Sequence, residues 1–222
     1  MIAQYIDHTI LKPSTTLEEV KKICGEAMLY GFASVCVPPY FVRHAVKMLQ
    51  GSTSKVVTVI GFPFGYSHPM AKLIEVRKAI KDGAAELDMV MNIAALKQSD
   101  FDFLRQEAAK VSSLISENRL VLKVIIESGI LSDAEIISCC NLYQEFDVNF
   151  LKTSTGYAEK GASIEAVRLM RHHLPSYMQI KASGGIKTFA FAKSLIEAGA
   201  SRLGCSASVA IVNGEEEVSE GY

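Results

Sequence analysis

Eight short runs of β-branched and other apolar residues alternate with helical patterns along the chain. The runs that predict strands are 4–10, 32–37, 56–61, 85–92, 120–127, 148–153, 178–182 and 201–205. The stretches that predict helices are 16–30, 39–50, 69–82, 99–117, 132–145, 163–174 and 188–198. Such alternation indicates βαβ units, whose right-handed crossovers build parallel sheets. Eight strands in 222 residues predict an α/β chain folded as a (β/α)8 TIM barrel.

A doubly wound open sheet is the competing layout. Residues 56–61 are nearly continuous in apolar side chains, which is typical of a buried parallel strand in either fold. Two observations favour the barrel: eight is the strand number of that fold, and no Gly-x-Gly-x-x-Gly turn follows the first predicted strand. No motif shows that the sheet closes, so the open sheet stays an alternative at this point.

No composition shift divides the chain into parts. Because no linker or low-complexity stretch interrupts it, a single domain is expected over residues 1–222. The segment 213–222 contains three consecutive glutamates and is expected to form a flexible acidic tail.

The composition argues against several classes of function. The formal net charge is −1 and no cluster of Lys and Arg appears, so a nucleic-acid surface is not expected. No apolar run approaches the ~18 residues of a membrane span, and residues 1–7 lack the pattern of a signal peptide. The five cysteines lack metal-ligand spacing, which predicts reduced thiols, a cytoplasmic location and no bound metal.

Three lysines, Lys123, Lys152 and Lys181, lie in predicted strands at a constant spacing of 29 residues. A single lysine in such a place is more often a core ion pair than a functional group. Neighbouring strands are ~4.8 Å apart, so Lys152 and Lys181 can bring their ammonium groups together. Like charges at close range lower the pKa of one amine, and a neutral amine can form a Schiff base with a carbonyl. Asp88, on the fourth predicted strand, would then move protons.

Glycine-containing turns follow the last three predicted strands. They contain Thr155-Gly156, Ser183-Gly184-Gly185 and Gly204-Cys205-Ser206, and Lys187 lies just after the second of them. Backbone NH groups in such turns bind phosphate, and the loops after strands 7 and 8 are the usual phosphate site of a TIM barrel. Tight βα turns without a ligand are the simpler alternative. The position of the turns beside the lysine pair favours phosphate binding.

Together these motifs match a known family. From about residue 5 to residue 210 the chain resembles the deoxyribose-phosphate aldolases, which are class I aldolases. The resemblance is carried by segments 6–9, 11–13, 35–39, 59–63, 86–90, 92–93, 122–127, 152–156 and 181–186. The two most specific segments are Lys152-Thr153-Ser154-Thr155-Gly156 and Lys181-Ala182-Ser183-Gly184-Gly185-Ile186.

The resemblance implies reversible cleavage of 2-deoxy-D-ribose 5-phosphate to D-glyceraldehyde 3-phosphate and acetaldehyde. It implies that Lys152 is the Schiff-base lysine and that Lys181 perturbs it. Asp88 matches the proton-relay aspartate, and Lys123 matches the lysine that accompanies this aspartate. The family often ends in a tyrosine that folds back to the site, a position matched by Tyr222.

The resemblance also implies the substrate contacts. Phosphate-contact positions fall on Gly156, Gly184, Gly185, Gly204 and Ser206, and pocket positions fall on Asp7, Thr9 and Cys36. Thr155 and Lys187 join the expected binding residues through the glycine turns. No metal or other cofactor is expected, because the iminium replaces the zinc of class II aldolases. The expected partners are a small phosphosugar and aldehydes, without nucleic acid or membrane, and the expected assembly is a homodimer or homotetramer.

One departure from the family pattern lies in the last glycine turn. Some members have two serines after the glycine of strand 8, whereas this chain has Ser206 followed by Ala207, so one phosphate contact is expected to be missing. Two other functions stay open from the residues. One is another class I aldolase or a transaldolase for a phosphorylated sugar, and the other is a non-catalytic phosphosugar-binding barrel.

Overall fold

The computed structural model describes residues 2–214, and its eight parallel strands close into a barrel in sequence order. The strands are β1 (Ile6–Thr9), β2 (Ser34–Val37), β3 (Lys55–Ile60), β4 (Glu86–Val90), β5 (Val121–Ile125), β6 (Phe150–Lys152), β7 (Gln179–Ser183) and β8 (Arg202–Cys205). The barrel closes where β1 pairs with β8, with Ile6 opposite Leu203. The predicted TIM barrel is confirmed, and the open sheet is excluded.

Helices follow the strands and surround the barrel. They are α1 (Leu17–Tyr30), α2 (Val42–Met48), α3 (Pro69–Asp82), α4 (Ile93–Lys97), α5 (Phe101–Glu117), α6 (Asp133–Tyr143), α7 (Ile164–His173), α8 (Phe189–Glu197) and α9 (Ser208–Asn213). Short 3-10 helices span Ile2–Tyr5, Pro39–Phe41 and Ser128–Ile130. None of the helices between residues 2 and 214 combines the length and the apolar character that crossing a membrane requires.

Two helices were not predicted from the sequence. The predicted strand 85–92 ends at Val90 instead, and the side chain of Asn92 caps α4 by accepting a hydrogen bond from the backbone NH of Ala95 (3.0 Å). Residues 213 and 214, predicted as part of the tail, end α9, with Gly214 as its left-handed cap at φ 71°. The short apolar turns 93–97 and 208–213 carry too few residues to show a helical period.

The period of two along each strand separates the two faces of the barrel. On β4, Leu87 and Met89 face the helices and join the main hydrophobic core. Glu86 and Asp88 point to the other face, into the barrel. The interior of most TIM barrels is filled by branched apolar side chains, but much of this interior is filled by charged ones. That departure defines where the chemistry of this molecule lies.

Candidate active site

A cavity of about 830 Å³ opens at the carboxyl ends of the strands. It is bounded by the loops after β1, β6, β7 and β8 and by parts of α1 and α9. The predicted site residues that line it are Thr9, Lys152, Thr155, Gly156, Gly184, Gly185, Lys187, Gly204 and Ser206. The fold therefore brings most of the predicted site into one pocket, at the end of the barrel where TIM-barrel active sites lie.

Lys152 is the last residue of β6 and is only 3% exposed. Strand pairing places it directly opposite Lys181 on β7. Lys181 and Lys123 are fully buried and do not line the cavity. Of the three barrel lysines, Lys152 alone reaches the space that a substrate can enter.

Asp88 connects the three lysines. Its Oδ2 accepts hydrogen bonds from Nζ of Lys152 (2.8 Å) and of Lys181 (2.7 Å). Its Oδ1 accepts from Nζ of Lys123 (2.9 Å). Burial opposes ionisation of Asp88, but the three ammonium groups outweigh burial and hold its pKa well below the ordinary value. Asp88 is therefore a carboxylate at neutral pH.

The two lysines that bond to Oδ2 of Asp88 differ in their pKa shifts. Burial lowers the pKa of Lys152, and the charge of Lys181 lowers it further. Asp88 raises this pKa, but the two lowering effects outweigh it. Burial also disfavours the charged form of Lys181, but Asp7 and Asp88 raise its pKa above the ordinary value. Lys152 is thus the amine that loses its proton more readily. Like charge, the cause expected from the sequence, contributes less to this shift than burial does.

A second group of charges lies deeper in the barrel. Asp7 pairs with Nζ of Lys181 (2.5 Å) and with Nη1 of Arg202 (2.6 Å). Glu86 pairs with Nζ of Lys123 (2.5 Å) and with Nη1 of Arg202 (3.2 Å). Burial raises the pKa of Asp7, but the cations around it prevail and depress it. The resemblance places Asp7 in the substrate pocket, whereas in the structure Asp7 is fully buried and does not line the cavity.

The glycine turns leave room for the backbone and for the lysines. Gly156, Gly184 and Gly185 have φ of 87°, 87° and 74°, which L side chains rarely adopt. A Cβ on Gly204 would lie 3.1 Å from Cε of Lys181 and 2.9 Å from Cβ of Ser183. Gly204 therefore allows Lys181 to pass beside β8, in addition to lining the cavity.

Two other predicted pocket residues have partners within the protein. The hydroxyl of Thr9 donates to the backbone carbonyl of Asp7 (2.8 Å), and Thr9 still lines the cavity. Cys36 is fully buried, and burial raises the pKa of its thiol to about 11. It does not line the cavity. Tyr222 lies outside the described residues.

Glu127 was not predicted as a site residue, and it holds Thr155, which lines the cavity. It follows β5 in the left-handed conformation at φ 56°, and it is buried. Its carboxylate accepts hydrogen bonds from the hydroxyl and the backbone NH of Thr155 (3.2 Å from N to Oε1). Burial raises the pKa of Glu127. The signal in the sequence was an acidic residue at the end of an otherwise apolar strand, Val124-Ile125-Ile126-Glu127.

The side of the cavity next to α1 was also missed. His8 and Glu26 line it, and their side chains are joined by a bond of 2.7 Å between Nε2 and Oε2. Tyr157 lines it too and donates its phenol hydrogen bond to the backbone carbonyl of Leu11 (2.8 Å). Among residues 2–214, no group of three or more His, Cys, Asp or Glu side chains is arranged to hold a metal ion.

Comparisons with known proteins find similar aldolases. The sequence profile of the DeoC/LacD family aldolases matches residues 1–213. A deoxyribose-phosphate aldolase of Caldanaerobacter subterraneus subsp. tengcongensis is 48% identical over 95% of this chain and 92% of its own. One from Thermococcus gammatolerans is 47% identical over 96% of both chains. The tetrameric deoxyribose phosphate aldolase of Aeropyrum pernix superimposes with a TM-score of 0.89 at 29% identity, covering 96% of this chain and 89% of that one.

Proposed function

Because the chain belongs to the DeoC/LacD family of aldolases, we propose that it cleaves 2-deoxy-D-ribose 5-phosphate reversibly through a Schiff base on Lys152. The products are D-glyceraldehyde 3-phosphate and acetaldehyde. The observation that carries the proposal is one buried lysine with a lowered pKa that lines the cavity and is held by a carboxylate. The names of the curated relatives support this substrate.

The reaction begins when the neutral amine of Lys152 adds to the C1 aldehyde of the open-chain sugar. Loss of water gives an iminium, which is an electron sink. The C3 hydroxyl then loses its proton, the C2–C3 bond breaks, and its electron pair moves into the iminium to give an enamine. D-Glyceraldehyde 3-phosphate leaves. Protonation of the enamine at C2 and hydrolysis of the new iminium release acetaldehyde and restore Lys152.

Asp88 relays protons in these steps, directly or through a water. Its Oδ2 lies 2.8 Å from the reacting nitrogen of Lys152. Because its pKa is depressed, Asp88 passes a proton on and does not retain it. Lys123 and Lys181 keep this carboxylate ionised and in place. Tyr222 is proposed to exchange the proton at C2 of the enamine when the chain terminus approaches the cavity.

The phosphate of the sugar binds at the glycine turns after β6, β7 and β8. Gly156, Gly184, Gly185, Gly204 and Ser206 line that part of the cavity. Lys187, on the loop before α8, supplies a positive charge. Asp7 and Cys36 do not line the cavity and would act indirectly, Asp7 through Lys181 and Cys36 through its influence on Lys152. Thr155 and Thr9 contribute hydroxyl groups to the cavity.

The assembly and location are further parts of the proposal. The relative from Aeropyrum pernix is a tetramer, which supports a homodimer or homotetramer for this chain. A cytoplasmic enzyme fits the five unpaired cysteines, all of which are buried thiols.

Borohydride trapping tests the Schiff base directly. In the presence of acetaldehyde, borohydride should leave an ethyl group on Lys152, which peptide mass mapping locates. Lys187, which also lines the cavity, is the matched internal control and should stay unlabelled. Label on Lys181 instead of Lys152 would reverse the two assigned roles. A screen of phosphorylated ketoses and aldoses separates this reaction from that of another class I aldolase or a transaldolase.

A further inference from the structure

Six charged side chains inside the barrel form a closed ring in which positive and negative groups alternate. The ring runs from Asp7 to Arg202 (2.6 Å), Glu86 (3.2 Å), Lys123 (2.5 Å), Asp88 (2.9 Å), Lys181 (2.7 Å) and back to Asp7 (2.5 Å). Each carboxylate contacts at least two cations of the ring, and each cation contacts at least two carboxylates. Lys123 and Asp7 also pair across the ring at 3.8 Å. Three positive and three negative charges therefore cancel within the ring.

Lys152 is attached to this ring but is not part of it. Among the described residues, its ion pair is with Asp88, at 2.8 Å. Asp88 is already fully compensated by Lys123 and Lys181. A proton on Lys152 therefore adds a surplus positive charge to a buried, balanced group, where an unbalanced charge is costly.

We infer that the ring as a whole sets whether Lys152 carries a proton, and that Glu86 and Arg202 are positioning residues for the reaction although neither lines the cavity. This inference rests on the proposed function insofar as Lys152 is the reactive amine. Glu86 and Arg202 act on Lys152 through Lys123, Asp7 and Asp88. Neither of them pairs directly with Asp88 or Lys152.

The geometry also explains what holds Arg202 and Lys123 in the ring. The aromatic side chain of Phe150 lies under both cations. Its centre is 5.3 Å from the guanidinium carbon of Arg202 and 5.8 Å from Nζ of Lys123. Ser34 donates a hydrogen bond to Oδ1 of Asp7 (2.5 Å). Phe150 precedes Lys152 by two residues, so the same strand supports the ring and presents the reactive amine.

Outside the ring, two other titratable groups influence Lys152. They are Cys36 on β2 and Glu127 in the loop after β5. Both stay unchanged when Glu86 or Arg202 is replaced. The sign of each expected shift therefore depends on the ring alone.

Removing one charge from each side of the ring should move the titration of Lys152 in opposite directions. Arg202→Met leaves the ring with one negative charge in excess, which stabilises the protonated amine and raises its pKa. Glu86→Gln leaves one positive charge in excess and lowers it. Each shift should be about one pH unit, as expected for a unit charge roughly 10 Å away at an effective dielectric constant near 20.

The double variant Glu86→Gln with Arg202→Met is the decisive control. It removes one charge of each sign, so the pKa of Lys152 should return towards the wild-type value. A purely structural role predicts the opposite, because two lost contacts should do more harm than one. Arg202→Lys keeps the charge and should leave the titration in place. If Arg202→Met does not fold, Glu86→Gln with Glu86→Asp as its control still tests the sign.

Two measurements separate this inference from the proposed function. The first is the acidic limb of kcat/KM against pH with 2-deoxy-D-ribose 5-phosphate. The second is competitive acetylation by acetic anhydride across pH, read at Lys152 by mass mapping, which needs no sugar. Opposite shifts that cancel in the double variant support the ring, and shifts of the same sign or no shifts overturn it. If wild-type protein does not cleave the sugar but acetylation shows the opposite shifts, the proposed function fails and the ring stands.

Discussion

Two lysines of this molecule are buried with lowered pKa values, and only one of them has the surroundings of a reactive amine. Lys72 on α3 is fully buried and donates to Oε1 of Glu107 (2.7 Å) and to the backbone carbonyl of Val90 (2.8 Å). Burial is the first cause of the lowered pKa in both Lys72 and Lys152. The two lysines are therefore alike in depth and in the direction of the pKa shift.

The two lysines differ in whether they reach the cavity and in whether their counterion is shared with other cations. Lys72 does not line the cavity, and Glu107 is its own counterion, with a pKa raised by burial. Lys152 lines the cavity and shares Asp88 with two other lysines. A lowered pKa alone therefore does not identify the reactive lysine, since Lys72 shares it. Access to a cavity, together with a counterion already satisfied by other cations, distinguishes the one that can react.

Replacement of Lys152 should have the largest effect on activity. In Lys152→Met the nucleophile is gone, so turnover of the phosphosugar and trapping of acetaldehyde should fall below detection. The free energy of unfolding should stay the same or rise, because a surplus buried charge is removed. Steady-state turnover and denaturant unfolding of the same preparation test both statements. Measurable turnover in the purified variant would move the Schiff base to another lysine.

Replacement of Lys72 should show the reverse pattern. Lys72→Met leaves Glu107 buried without its cation, and breaking such a pair costs about 3–5 kcal/mol of the free energy of unfolding. Turnover per folded molecule should stay near that of the wild type. The double variant Lys72→Met with Glu107→Leu should recover most of the stability, since the unpaired carboxylate is then removed. A loss of turnover in folded Lys72→Met would show that Lys72 contributes to the reaction.

Lys181→Leu should reduce turnover near neutral pH by about 100-fold, which corresponds to a rise of roughly two units in the pKa of Lys152. The sign follows from the structure, because the charge of Lys181 lowers the pKa of Lys152. Activity should partly return as the pH rises towards the new pKa, where the amine loses its proton. The profile of kcat/KM against pH measures this directly. A flat profile in the variant would refute the electrostatic role of Lys181.

The sequence predicts the barrel well, and it also predicts the part of the charged interior that lies nearest the cavity. The 29-residue spacing of the lysines reflects the regular βα repeat, which places them on three consecutive strands. Lys152 lies opposite Lys181, and Lys123 lies opposite Phe150, two residues before Lys152. Asp88 is visible as an acidic residue in an apolar strand. Glu86 lies two residues earlier on the same strand and the same face, and the period of two could have found it.

Other parts of the charged interior depend on contacts that a single sequence does not reveal. Arg202 begins β8 next to the exit of a helix, where a charge normally faces solvent. Lys72 lies in a helix rich in charged residues, so its sequence context suggests a solvent-exposed lysine, as most lysines are. Its burial depends on Gly61, where an added Cβ would approach Cε of Lys72 to 2.8 Å. Such close approaches arise from tertiary packing.

Glu127 should show the smallest and most local effect. Burial raises its pKa, as it raises the pKa of Glu107, but the partner of Glu127 is a hydroxyl and not a lysine. Glu127→Gln keeps one oxygen acceptor for Thr155 but loses the charge. The loop after β6 should then be held less firmly, and KM for the phosphosugar should rise about fivefold, which corresponds to one weakened hydrogen bond. The turnover number should change less than KM, since Lys152 keeps its ring of charges.

Glu135→Gln on α6, whose carboxylate pairs with Lys97 and does not line the cavity, is the matched control. A fall in turnover with unchanged KM would instead place Glu127 among the groups that move protons at Lys152.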